Sequence, residues 1–528
     1  IIAYEKQRLI LVLMLFICAF TCSVKQHHIS FKPIITQLDH NLSTTAQLLG
    51  NLILLASSWS YREGAIHSAT IMEYPEIQIL LILGFAILCL INAIQLVVMP
   101  HDFKPGGKIL HALLSIPLYT IMALCAGIYF FLFEGHSAGL AIFFSLLIDQ
   151  AGLFLNVGLY IWVGMLLKQT HLGELIFKVF TPWRMSPELL AFVALIIMAV
   201  PTAYTGASGI IIIAMGAIVY RELRRVGARR QLALAATAMT GSAGVVLRPC
   251  LLVVLIAALN KEVVTDQLFY WGQKTFFTTA AVFFFYIYIT KREKMSIAPP
   301  TRETLNPFLE ALKALFPYAM IIFIISLAYR YLLNAALDEF SAPVILPVIM
   351  LGFIIYENLF THNNPDFPLK RKSDNFEHAI RTASTDSTIH IGALLMLMGL
   401  SFVVGGVIER SGILDVSPEY FESIWLTLVF LIIFLVGIGM IMDPFGAVVL
   451  VTSTVAQVAY KNGVNPVHFW MITLVAFELG YLTPPVTLNH LLTKQMIGHD
   501  EASKAILEGD TFWYKHEKIL LPVVTMGT

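Results

Sequence analysis

Two charged side chains stand where charge is expensive. Asp443 lies in GIGMIMDPFGA (437–447) and Arg248 in TGSAGVVLRPC (240–250), both within otherwise apolar stretches. A carboxylate inside a membrane segment costs about 2.5–3.5 kcal/mol on insertion scales, so it defaults to a functional role. Asp443 has a second reading, as a helix cap ahead of Pro444. Arg248 has three: it could hold a substrate carboxylate in a bidentate fork, snorkel to an interface, or pair with a carboxylate for structural reasons. Two further interruptions are PTAYTGASG (201–209) and ELGYLTPPVTLNH (478–490). Hydroxyls gather at these places: Thr205, Ser208, Thr240, Ser242, Thr483 and Thr487, with Asn489 just beyond. Unwound carbonyls with hydroxyl oxygens suit a hard cation such as Na⁺, and exposed helix N-termini favour an anionic substrate. Close packing of small residues and a proline kink would explain any single interruption. Four of them argue for a site. Ser208, Arg248, Asp443, Thr487 and Asn489 are the candidate substrate contacts. His490 reads as a packed or interfacial histidine in preference to a proton relay.

The elements that must position these residues follow from composition. Of 528 residues, 58% are hydrophobic and 13% charged, and 34 Lys and Arg balance 34 Asp and Glu. The mean hydropathy is +0.78. A soluble protein carries about 25% charged residues. The balance also removes the basic footprint that nucleic acid requires. Soluble enzymes, nucleic-acid binders and disordered scaffolds are therefore excluded, leaving an all-α polytopic membrane protein. Apolar segments occur at 9–24, 48–59, 77–99, 110–133, 138–155, 157–167, 189–219, 232–259, 276–290, 316–333, 344–356, 389–408, 426–441, 447–460, 469–492 and 519–524. A helix needs about 20 apolar residues to span a bilayer. Several segments are too short, or too long and broken by Gly and Pro, and read as broken helices or re-entrant hairpins. None alternates as a membrane β-barrel would. The Phe-rich run 276–285 reads as a lipid-facing surface. The five cysteines form no CxxC or Cys/His cluster, so neither a metal site nor a disulfide frame is expected. HExxH, GxSxG and nucleotide-binding loops are missing, which argues against an integral-membrane enzyme and ATP-driven transport.

Charge orients the segments. Arg221, Arg224, Arg225, Arg229 and Arg230 crowd one loop, Lys291, Arg292, Lys294 and Arg302 a second, and Lys370, Arg371, Lys372 and Arg381 a third. The positive-inside rule places all three in the cytoplasm. The connection with Glu409, Asp415, Glu419 and Glu422 carries only Arg410 and is expected outside. A repeat underlies the order. Gly227, Gly244 and Pro249 each precede Gly463, Gly480 and Pro485 by 236 residues. The arginine-rich loop 221–230 corresponds to 457–466, which carries only Lys461. Equivalent loops of opposite basic character belong on opposite faces, so the repeat is inverted. Inverted repeats place a binding site where broken helices of the two halves meet. A secondary transporter fits this pattern better than a channel.

At these residues the chain resembles the membrane component of tripartite ATP-independent periplasmic (TRAP) transporters. TGASG and AMGAIVYRELRRVGA (205–228), GMIMDPFGAVVLV (439–451) and NPVHFW with ELGYLTPPVTLN (465–489) look like the large permease subunit, over roughly 105–495. VKQHHISFKPIITQLDHNLSTTAQLLGNL (24–52) and MEYPEIQILLILGFAILCLI (72–91) are similar to the small subunit. The resemblance implies small-subunit-like scaffold helices over 1–100 and a linker at 101–108. A first repeat would follow over 109–300, connecting helices over 301–388, and a second repeat with the C-terminus over 389–528. The chain begins at Ile1 and not Met; a first small-subunit helix is expected upstream.

The resemblance further implies an elevator-type secondary transporter in the bacterial inner membrane. It would import an organic acid with Na⁺, and a periplasmic binding protein would deliver the substrate. The alternative is an anion:Na⁺ or H⁺ symporter that needs no binding protein. Carried over by motif, one Na⁺ site would use Gly206, Ser208, Gly241, Gly244 and Pro249. A second would use Gly439, Asp443, Gly480, Thr483 and Pro485. The chain departs from the family pattern twice: Ile211 stands at a usually acidic position, and Arg248-Pro249-Cys250 replaces Pro-Pro-Ser. An acid is lost and a cation gained. The guanidinium of Arg248 either suppresses the first Na⁺ site or contacts the substrate anion.

Overall fold

The computed structural model describes residues 2–68, 75–98, 103–206, 208–292, 294–338, 340–361, 375–413, 420–508 and 511–527. Ala207, Lys370, Arg371, Lys372, Asp415 and Glu419, with His101 and Asp102 of the expected linker, lie outside these residues. The described residues are helical and contain no strand, with one isolated bridge between Thr36 and Lys104. Among the described residues, eight helices are long and apolar enough to cross a membrane. Backbone groups in lipid must be satisfied within their own segment, which helices do. The protein is an all-α polytopic membrane protein. Two compact units divide the chain: the first holds 1–156, 388–428 and 441–463, the second 157–387, 429–440 and 464–528.

In the first unit, the segment expected to be short at 48–59 is part of a 31-residue helix, Gln37–His67. Hydropathy understates it because its buried face is polar: Asp39, His40, Ser43, Thr44, Gln47, Asn51, Ser57 and Ser58 all point inward. Apart from Thr44, these groups have hydrogen-bond partners among the described residues. The Asn51 amide donates to Asn92 at 2.9 Å, and Asn92 donates to Ser23 at 3.2 Å, which ties Gln37–His67 to Pro75–Val97 and Ile2–Lys25. Such interhelical bonds hold membrane helices together at roughly 0.6–2 kcal/mol each. The helix starts in a capping box: Thr36 Oγ1 accepts from Asp39 N, and the Asp39 carboxylate accepts from Thr36 N at 3.0 Å. Lys32 Nζ donates to the same carboxylate oxygen at 2.7 Å. Burial would push this carboxyl upward. The Lys32 ammonium and the Thr36 and Ile35 amides overcome that and hold it below its usual range. A lowered folded-state value stabilises the fold above the carboxylate's ordinary 3.8 and is lost as pH falls further. Asp39→Ala is expected to cost about 3–5 kcal/mol, because it strands Lys32 and two amide donors. Thermal unfolding in detergent at pH 7 would read this, and a shift below 1 °C would refute it.

The first two helix breaks, at 201–209 and 240–250, lie in the second unit. Pro187–Thr205 ends at Gly206, whose φ of +63° is open to glycine, and Ser208–Arg225 follows. Arg230–Thr240 leads into turns, and the chain resumes as Leu251–Leu259 and Thr265–Thr290. The same punctuation recurs 236 residues on. Ile424–Ile441 ends before Asp443, Pro444–Ser453 follows, and Pro466–Leu482 breaks at Thr483 before Leu488–Ile497. Gly227 and Gly463 both adopt positive φ, +89° and +77°.

Of the Phe-rich run, Phe277 and Phe285 are exposed while Phe276 and Phe283 are buried, so only part of that face is available to lipid. Alternation on a helix buries one side against the unit. The C-terminal helix Phe512–Met526 packs on Arg230–Thr240, Thr265–Thr290 and Pro466–Leu482. Its Glu517 receives two bonds from Arg229, at 2.8 and 3.1 Å, and Arg229 also reaches Glu188 at 3.2 Å. Arg230 pairs with Glu501 and Glu508. Two arginines of the basic loop are thereby spent on anchoring the C-terminus.

Candidate functional site

Within the second unit the helix breaks enclose a polar cluster. Ser208 opens Ser208–Arg225, Ser242 lies in the turn after Arg230–Thr240, and Asn489 lies in the first turn of Leu488–Ile497. Asn489 Nδ2 donates to Ser242 Oγ at 2.9 Å, and Ser208 Oγ donates to Asn489 Oδ1 at 3.3 Å. The three residues are at most 2% exposed. One amide from the break at 478–490 therefore bridges two hydroxyls from the breaks at 201–209 and 240–250. Beside it, Thr202 Oγ1 donates to the freed Thr240 carbonyl at 2.9 Å. The cluster offers hydroxyl, amide and unwound carbonyl oxygens, the donor set of a hard monovalent cation or the rim of a small anion. Among the described residues, no three His, Cys, Asp or Glu side chains gather as metal ligands.

Glycine makes the close approaches possible. A Cβ on Gly241 would overlap the Ser208 carbonyl oxygen, and one on Gly244 would overlap that of Ala199. The counterpart crossing repeats this. A Cβ on Gly480 would lie 2.6 Å from Gly439 C and 2.7 Å from Met440 N, and one on Gly439 would lie 2.7 Å from Phe477 Cα. The breaks at 240–250 and 478–490 thus rest their glycines on the backbone of Ala199 and Ser208 and of Gly439 and Met440, respectively. The peptide bonds before Pro249 and Pro485 are both cis. Thr483 Oγ1 bonds the Leu479 carbonyl at 2.6 Å. Thr487 takes a left-handed conformation (φ +48°, ψ +52°), which a β-branched residue adopts only where the surroundings impose it.

Of the first expected ion set, Ser208 and Gly241 meet directly, while Gly206 contacts the start of Leu251–Leu259. The second set divides between units: Gly439, Gly480, Thr483 and Pro485 belong to the second, Asp443 to the first. Asp443 caps Pro444–Ser453. Its Oδ1 accepts from Phe445 N at 2.9 Å and its own N–H donates to Ser401 Oγ at 2.8 Å. It is 6% exposed. Arg248 sits at a half-exposed tip, paired with Asp266 and lying over the Phe269 ring at 5.0 Å. His490 is buried.

Thr202, Ser401 and Glu478 escaped the sequence reading. Glu478, 2% exposed in Pro466–Leu482, carried the same signal as Asp443, a carboxylate in an apolar run. Thr202 lay one turn before the glycine break, a usable hint. Nothing in the sequence near Ser401 marks it.

A model of the family described as "Tripartite ATP-independent periplasmic transporter, DctM component" matches residues 107–515. The chain is 24% identical over 318 residues to the C4-dicarboxylate TRAP transporter large permease protein DctM of Vibrio cholerae, covering 58% of this chain and 68% of that protein. It is 23% identical over 312 residues to the Pseudomonas aeruginosa protein of the same name, covering 58% and 69%. A stretch of 57 residues is 39% identical to the isethionate TRAP transporter permease protein DctMQ of Oleidesulfovibrio alaskensis, covering 11% and 9%. The family match takes in all four helix breaks and the Ser208–Ser242–Asn489 cluster, and the chain belongs to the TRAP transporters as a DctM-type permease, a multi-pass transport protein and not an enzyme.

Proposed function

We propose that the chain is a Na⁺-coupled secondary transporter importing a small organic acid anion delivered by a periplasmic binding protein. The observation that carries this is the Asn489 bridge, which joins the broken segments of both repeats in one buried polar cluster. Two relatives are named for C4-dicarboxylates and a third for isethionate. The shared chemistry is a small organic anion. All three are bacterial proteins of a periplasm-linked family, which supports placement in a bacterial inner membrane. The polar-faced helices of residues 1–100 serve as the fused small-subunit scaffold. The transport unit, carrying Na⁺ and anion together, moves against it as an elevator. The test is reconstitution with the cognate binding protein and labelled organic acid under separate Na⁺ and H⁺ gradients. Uptake is expected only with the inward Na⁺ gradient and the binding protein. Uptake of equal rate without the binding protein would favour the simpler symporter, and none under either gradient would remove the reading.

Arg248 is assigned to the substrate anion in this scheme. Its pair with Asp266 is solvent-facing, with side chains 50% and 84% exposed. Such pairs contribute about 0–1 kcal/mol, so an arriving carboxylate displaces Asp266 at small cost. Arg248→Ala is expected to raise the substrate KM roughly 10-fold, a loss of about 1.4 kcal/mol, with the Na⁺ Hill coefficient unchanged. A changed Hill coefficient with constant KM would assign Arg248 to the ion site instead.

A further inference from the structure

We infer that the second unit carries a binding site for an anionic phospholipid headgroup at its cytoplasmic edge. The site is a cavity of about 370 Å³ lined by Phe177, Phe180, Arg184, Leu190, Arg225 and Val226, among others. That volume falls in the range of ordinary ligand pockets. Its wall is mixed in the way an amphiphile requires. Phe177 and Leu190 are buried apolar floor, while Arg184 and Arg225 are exposed at the rim beside Thr181.

The charges at the rim are unequally engaged. Arg225 faces Glu222 at 3.8 Å across one helical turn, and Glu222 itself lines the cavity. No hydrogen bond or ion pair holds the Arg184 guanidinium among the described residues. Lys178, one residue beyond Phe177, is faced by Glu174 and Glu222, and Glu174 also pairs with Arg221 at 3.1 Å. The lining alone therefore carries two guanidinium groups against one carboxylate. A phosphodiester would balance the surplus and accept the free fork of Arg184 in bidentate fashion.

The surroundings select a lipid as the source of that phosphate. The loop holding Arg184 is bonded to the second basic loop, with Ala298 N donating to Trp183 O at 2.8 Å and Ser186 N donating to Ser296 O at 3.2 Å. Both loops thus lie on the face that the positive-inside rule assigns to the cytoplasm. Trp183 meets Phe308 edge to face at 5.6 Å. Phe308 belongs to Arg302–Leu332, the least buried of the eight candidate spans, with Leu305, Leu309, Leu312 and Phe316 exposed. A cavity with an apolar floor and a basic rim, beside an aromatic at the foot of a lipid-facing span, matches the arrangement by which basic pockets on the cytoplasmic side hold anionic headgroups. This site is independent of the transported anion.

The experiment is thermal unfolding of the detergent-purified full chain with added dioleoylphosphatidylglycerol, with dioleoylphosphatidylcholine, or with inorganic phosphate. Phosphatidylglycerol is expected to raise Tm by about 2–4 °C beyond phosphatidylcholine, as a ligand that binds only the folded state does. In Arg184→Ala the difference should vanish while the lipid-free Tm stays unchanged. Arg184→Lys should retain part of it. An equal shift in wild type and Arg184→Ala, or none over phosphatidylcholine, would overturn the site. An equal shift with inorganic phosphate would overturn the lipid assignment in favour of a soluble anion.

Discussion

Asn489→Leu is expected to lower Na⁺-driven uptake roughly 10- to 100-fold while leaving a folded protein. The two side chains are close in size, so the packing is kept and the hydrogen bonds are removed. Ser242 loses an amide donor at 2.9 Å and Ser208 loses an acceptor at 3.3 Å, both deep in the second unit. A buried hydroxyl without its partner costs about 1–3 kcal/mol. In a rigid core that cost would appear as stability. In a cluster built on unwound helix ends it appears as misplacement of the carbonyls freed at Gly241 and around Ser208. Ser208→Ala and Ser242→Ala should each have a smaller effect. Combined with Asn489→Leu they should add little, because the three residues act as one unit. Uptake by reconstituted protein is the readout, with melting temperature as the control for folding. Full uptake in Asn489→Leu would detach this cluster from transport.

Gly480→Ala and Gly437→Ala should differ sharply. Both positions are helical glycines in an apolar span, and hydropathy or propensity alone would rank the two changes alike. At Gly437 a Cβ meets nothing within 4 Å, and alanine is the better helix former. That change should be neutral or stabilising by up to about 1 kcal/mol. At Gly480 a Cβ would press on the backbone of Gly439 and Met440 at 2.6 and 2.7 Å. Backbone cannot rotate away as a side chain can, so Gly480→Ala should cost about 1–3 kcal/mol or more. Gly439→Ala should do the same from the other side, because its Cβ would lie 2.7 Å from Phe477 Cα. Melting temperatures of the three variants in one detergent decide the matter. Equal shifts at 437 and 480 would mean that the two helices do not cross at these glycines.

The amino-acid sequence by itself determined the membrane class, the helix breaks and their pairing. Composition reports solvent, and lipid leaves few choices of backbone. Gly and Pro act locally, so PTAYTGASG and ELGYLTPPVTLNH mark breaks wherever they occur. The 236-residue spacing was legible because a repeat copies its punctuation, and the helix starts at 187, 208, 230 and 251 recur at that spacing to within one residue, at 424, 444, 466 and 488. Family membership followed from the same motifs.

Tertiary structure decided which of the marked residues meet. Ser208 and Asn489 are 281 residues apart, and no local pattern couples a hydroxyl to so distant an amide. Hydropathy shortens Gln37–His67 because it counts residues without knowing which neighbours satisfy them. Its inward Asn51 and Ser57 look like poor membrane residues until their partners, Asn92 and the Ala141 amide, are in place. Arg248 showed the converse. Its position in an apolar run suggested a buried cation, but only the fold could bring Asp266 to it and leave the tip half exposed. Charge and chain order are properties of the sequence. Burial and partnership belong to the packed chain, because each depends on side chains that the sequence places far away.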